Sequence, residues 1–174
     1  NDTITIRSTE DSTASISYTG TGFQYTGSGK FIVERFIPAG RKWRHLSIPI
    51  NSDTLSVKNS WQESTIITSN LSNWATSGFD NNSPGGPSLK YFNPTLQNYV
   101  GISRTDTVIK NSQGYMLFLR GDRTCTISNS QTTPVTLSLR GPVYFGTQTS
   151  VTVPAGTLTN PKWVSVGNPY ASAL

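Results

Sequence analysis

Apolar and polar residues alternate one for one through most of the patterned segments of this chain. A repeat of two residues fits one regular element only, a strand with one buried and one wetted face. Thr3-Ile4-Thr5-Ile6-Arg7-Ser8 puts Ile4 and Ile6 on the inner side, and Ala14-Ser15-Ile16-Ser17-Tyr18 repeats the pattern before the glycines of Gly20-Thr21-Gly22 and Gly27-Ser28-Gly29. Phe31 to Ile37 and Trp43 to Ile50 flank the turn Pro38-Ala39-Gly40. Tyr99 to Ile102, Thr107 to Lys110, Val135 to Leu139, Ser150 to Val153 and Trp163 to Val166 read as further strands, with Trp43 and Trp163 in the core. Tyr115-Met116-Leu117-Phe118-Leu119 is apolar on both faces and so predicts a central, fully covered strand.

Composition agrees with a chain of strands and loops. Serine and threonine exceed a quarter of the 174 residues, and their hydroxyls compete with a helix backbone for its hydrogen bonds. Roughly ten short strands with frequent turns predict an all-β fold, an antiparallel, jelly-roll-like β-sandwich, with residues 1–174 as one module excised from a larger multidomain protein. From about Asn51 to Asn98 the pattern breaks into a long irregular middle region rich in Asn, Ser, Gly and Pro. Aromatic residues recur through it, which argues for function rather than disorder.

Charge and cysteine narrow the function classes. The net charge is +5, but only Arg41-Lys42-Trp43-Arg44-His45 and Arg120-Gly121-Asp122-Arg123 cluster it. Both clusters lie beside strands, so their side chains are read as solvated faces and no nucleic-acid partner is expected. Cys125 is the sole cysteine, which rules out an internal disulfide and multi-cysteine zinc sites. No apolar run is long enough to span a membrane, so membrane insertion is not expected.

Five blocks carry a family likeness. These are Phe31 to Arg44 with its Pro-Ala-Gly turn, Ser60-Trp61-Gln62-Glu63, Gly78-Phe79-Asp80, Gly114 to Arg123, and Gly167-Asn168-Pro169-Tyr170-Ala171-Ser172. In that order they resemble a β-rich module of large secreted and cell-surface proteins of Bacteroidota, of the kind found upstream of type IX secretion sorting domains. The resemblance implies an extracellular or cell-surface setting and neighbouring domains of a parent protein as partners. It implies no catalytic residue.

The chemistry-bearing residues point the same way. Glu63 and Asp80 are the acids lying among aromatics, and structural hydrogen bonding is their expected role rather than the paired carboxylates of a glycosidase. His45 has no nucleophile motif beside it, Cys125 reads as an inert buried residue, and Gly27-Ser28-Gly29-Lys30 lacks the spacing of a phosphate loop. Asp80-Asn81-Asn82 supplies oxygen donors for a structural calcium, with Asp80 as the weak candidate ligand; no other cofactor is expected. Arg120-Gly121-Asp122 reads as a strand end in which glycine turns the chain and the aspartate pairs with arginine.

Aromatic rings stack on sugar faces while amides and carboxylates bond the hydroxyls. Trp61, Gln62, Trp74, Phe79, Asp80, Asn81, Tyr91 and Tyr99 are therefore the candidate glycan-binding residues. The expected function is a non-catalytic accessory module that binds polysaccharide or cell-surface glycan, or that mediates adhesion. The alternative is a structural spacer with no ligand of its own, its middle aromatics packed beneath the loops.

Overall fold

A computed structural model describes residues 3–16, 29–145, 147 and 150–171. Of the described residues 32% are in strands and 3% in helix; an average domain has about a third of its residues helical, so the fold is all-β. The elements are β1 (Thr3–Ile6), β2 (Lys30–Ile37), β3 (Lys42–Leu46), α1 (Trp61–Ser64), β4 (Thr68–Ser69), β5 (Asn81–Asn82), β6 (Leu89–Asn93), β7 (Asn98–Gly101), β8 (Tyr115–Leu119) and β9 (Val135–Gly141).

Two sheets enclose the core. One has the order β1-β2-β9, with β2 and β9 antiparallel from Phe31↔Gly141 to Ile37↔Val135 and β1 parallel to β2. The other has the order β3-β8-β6-β7 and is antiparallel throughout. Val135, Leu137 and Leu139 from the first sheet and Leu89, Tyr115, Leu117 and Leu119 from the second belong to a single buried apolar cluster. That face-to-face burial of alternating side chains defines a β-sandwich. Ile48, Ile50, Ile67 and Trp61, from the connecting segments, complete the cluster.

The middle region is more ordered than the sequence suggests. Its residues build α1, the short parallel pair β4–β5 and the whole of β6, which lies between β8 and β7. The β6–β7 connection is set locally, because the Asn93 side-chain oxygen accepts the amides of Thr95 (2.9 Å) and Leu96 (3.1 Å). Gln97 then takes a positive φ of 53° to re-enter the ladder.

Several strand expectations change. Ile4 lies at the outer end of edge strand β1 and is 61% exposed, whereas Ile6 is buried. β3 ends at Leu46, and its continuation bridges only at Ile50 to Val143. Residues 107–110 and 163–166 contribute isolated bridges alone, Ser56↔Val108 and Gln113↔Val166, and residues 150–153 form no strand. Of the Ala14 to Tyr18 expectation, Ser17 and Tyr18 lie outside the described residues, as do Gly20-Thr21-Gly22 and Gly27-Ser28. Short alternating runs at the margins lack a neighbour to pair with, so their periodicity does not become a ladder.

Candidate functional site

Strand β8 organises the candidate site. Tyr115, Leu117 and Leu119 point into the core, so Met116, Phe118 and Arg120 point outward from the same strand. The register brings further side chains to that outer face: Trp43 opposite Phe118, His45 opposite Met116, Lys90 opposite Met116 from the other side, and Tyr99 opposite Phe92. Trp43 is 41% exposed and His45 is exposed, while Lys90, Phe92, Tyr99, Met116 and Phe118 are half-buried against one another.

The rings on this face fall in two groups, Trp43 with Phe118 and Phe92 with Tyr99 and His45. Trp43 meets Phe118 edge to face with centroids 5.3 Å apart, Phe92 meets Tyr99 at 5.4 Å, and His45 meets Tyr99 at 6.2 Å. The Lys90 ammonium lies 4.9 Å from the Trp43 ring centroid, and the Arg120 guanidinium 5.0 Å from that of Phe118. Edge-to-face pairs and cations over rings favour fixed angles between these side chains.

The sequence-derived candidates fall elsewhere in the fold, Tyr99 excepted. Trp61, 1% exposed, packs edge to face on Tyr115 at 5.4 Å in the core, and Phe79 is 4% exposed. Neither ring is exposed at the outer surface, which corrects both assignments. Gln62 is buried and its amide donates to the Gly78 carbonyl at 2.8 Å. Trp74 is partly buried against the core, as is Tyr91, which occupies the inward register of β6. Asn81 is exposed in β5, outside that sheet.

Asp80 is a structural lock. One carboxylate oxygen accepts the Ile67 amide at 2.8 Å and the other the Arg123 guanidinium at 2.6 Å. Arg123 also donates to the Gln62 carbonyl at 2.5 Å, which ties α1 to the turn after β8. With both oxygens held and a cation already beside them, Asp80 is not set to ligate calcium. Among the described residues no group of three or more His, Cys, Asp or Glu side chains converges as a metal site.

The Arg-Gly-Asp turn is also partly corrected. Gly121 has φ +137°, and a Cβ there would meet the Cys125 sulfur at 2.6 Å, so the glycine is required. Asp122 does not pair with Arg120; its carboxylate accepts the Thr124 amide (2.9 Å) and hydroxyl (2.6 Å), which hold it below the usual carboxylate range. Nor do both cationic clusters dissolve into solvent. Arg41 donates to the carbonyls of Asn129, Gln131 and Thr126, and Arg120 is only 6% exposed.

A cavity of about 520 Å³ opens between the sheets, with Val33, Leu46, Trp61, Leu137 and Leu139 among its apolar walls. Glu34, its one carboxylate-bearing wall residue, accepts the Ser8 amide at 3.2 Å. Among the described lining residues no second carboxylate stands with Glu34.

The missed residues are Trp43, His45, Lys90, Phe92, Met116 and Phe118. The signal was present in Tyr115 to Leu119, whose two apolar faces require cover on both sides or a function for the uncovered one. No family model, curated protein or solved structure matches this chain. Fold and face together define the class, an all-β sandwich with an aromatic outer sheet face. No helix among the described residues is long and apolar enough to cross a membrane.

Proposed function

We propose that this chain is a non-catalytic accessory module of an extracellular or cell-surface protein, and that it binds polysaccharide through the outer face of β3, β8, β6 and β7. The observation that carries this reading is the set of rings on that outer face, Trp43 exposed and Phe118, Phe92 and Tyr99 half-buried. Apolar rings left at a surface mark an interaction site, because water is displaced from them favourably only when a partner covers them. Sugar rings offer C–H groups to the π faces and hydroxyls to His45 and Lys90 beside them. The secreted setting rests on the resemblance to Bacteroidota surface modules, and the neighbouring domains of such a parent protein are its structural partners.

Affinity electrophoresis of the whole chain through gels containing a panel of polysaccharides tests the proposal. At least one polymer should retard the native chain, and Trp43→Ala should restore free mobility without loss of fold. Free mobility of the native chain in every gel would overturn the binding reading and favour the spacer.

A further inference from the structure

The rings end at a buried cation that no described residue neutralises. Arg120 is 6% exposed, yet its Nε and Nη1 meet neither solvent nor a hydrogen-bond acceptor among the described residues. Asp122, two residues on, is directed to Thr124 instead. Arg41 stands on the adjacent strand one step beyond the Lys42↔Leu119 pair, alongside Arg120. Burial and the Arg41 charge both push the Arg120 guanidinium toward its neutral form, so two like charges share one corner of the face.

The charge pattern of the whole sheet has the same sense. Arg41, Lys90 and Arg120 fall in the outward register of β3, β6 and β8 or one residue beyond it, Lys42 and Arg44 take the opposite register, and these strands and the residues next to them carry no Asp or Glu. A cation kept from water without a carboxylate is unfavourable in the free protein. The same cation becomes favourable when a ligand supplies the anion, since a guanidinium binds carboxylate and sulfate oxygens in a fork.

We infer that the glycan taken by this face is anionic, bearing sulfate esters or uronic carboxylates, and that one such group sits at Arg120 beside Arg41. This rests on the glycan-binding reading and names its ligand class. A single-stranded polynucleotide is the competing polyanion. It needs cations spread along its track, whereas here the two guanidiniums stand together at one end of the rings.

The test compares polymers of one backbone in affinity gels: polygalacturonate against its fully methyl-esterified form, and a sulfated galactan against the unsulfated galactan. The native chain should be retained more strongly by at least one charged member, and the preference should weaken with added salt. Arg120→Gln should reduce retention by that charged polymer about 10-fold, the usual effect of losing one charge-assisted bond, and reduce retention by the neutral member far less. Lys90→Gln, a variant outside the buried corner, should reduce the same preference more weakly. Inorganic sulfate at millimolar concentration should raise the melting temperature of the native chain more than that of Arg120→Gln, since general salting-out by sulfate acts on both and the excess reports a bound anion. Equal retention by charged and neutral members would overturn the anionic class while leaving glycan binding intact. No retention by either would overturn both readings. Stronger retention by polyuridylate than by either acidic glycan would replace the glycan with a nucleic acid. A marked fall in the melting temperature of Arg120→Gln without sulfate would show Arg120 to be structural and overturn its role as anion receptor.

Discussion

Trp61 and Trp43 differ in environment more than in sequence neighbourhood. Trp61 sits among Asn, Ser and Gln in an irregular stretch and is 1% exposed; Trp43 alternates with Lys42 and Arg44 inside a strand and is 41% exposed. The polar surroundings of Trp61 belong to a connection that caps the core, so its ring closes the sandwich. Trp43 is exposed because it takes the outward register of edge strand β3, while Leu46, in the inward register, packs against the core. Polarity near an aromatic therefore reports less about its exposure than the side of the strand it takes.

The comparison breaks most easily at its buried end. Trp61→Ala should cost about 3–5 kcal/mol and Leu117→Ala about 2–5 kcal/mol, the range for large side chains removed from a packed core. Thermal and urea denaturation would measure both. A Trp61→Ala loss below about 1 kcal/mol would mean that the connecting segments do not share the core. Removing the lock beneath Trp61 should cost less: Asp80→Ala leaves the Ile67 amide without its 2.8 Å acceptor and frees Arg123. A loss of about 1–3 kcal/mol is expected, the range for an unmet polar group, and it should persist in calcium-containing buffer as in chelator. Stabilisation by calcium in the native chain alone would restore Asp80 as a metal ligand.

Tyr115, the partner of Trp61, gives the comparison a pH dependence. Burial raises its hydroxyl pKa, against the stabilising effect of the Lys110 amide. In the unfolded chain the hydroxyl ionises near pH 10, while the folded chain resists. The stability it contributes is thus fully present below about pH 10 and lost as pH rises toward the folded value. Tyr115→Phe should flatten the alkaline limb of the stability curve while lowering the neutral plateau, because the Lys110 amide loses its acceptor. An alkaline limb of unchanged slope would place the titration elsewhere.

Much of the fold was legible and little of the site. β2, β8 and β9 were readable because their alternation coincides with real neighbours on both sides or with the core. β6 was not, since Leu89-Lys90-Tyr91-Phe92-Asn93 lies after a Pro-Gly-Gly-Pro segment and its partner β8 is distant in sequence. The rings of Trp43, Phe92, Tyr99 and Phe118 come from strands as far apart as residues 43 and 118. Only the register between strands brings them together, and no local pattern specifies it. Of the sequence-derived candidates, Tyr99 alone joins these rings, from strand β7.

The smallest effects belong to the two tryptophans that alternation assigned to the core. Trp43 has an edge-to-face partner and a cation above its ring, so Trp43→Ala should cost about 1 kcal/mol, the sum expected for exposed contacts of those kinds. Trp163 is 65% exposed, and its backbone rather than its ring makes the contact, through the Gln97 side chain at 2.8 and 3.1 Å. Those bonds survive truncation, so Trp163→Ala should fall within about 0.5 kcal/mol of the native chain. Polysaccharide retention should separate the pair further, lost with Trp43 and kept with Trp163, which lies outside the strands that carry the rings. Loss of retention with Trp163→Ala would extend the binding face past the β6–β7 turn that Gln97 anchors. A stability loss above about 2 kcal/mol there would instead return Trp163 to the core, because exposed substitutions do not reach that size.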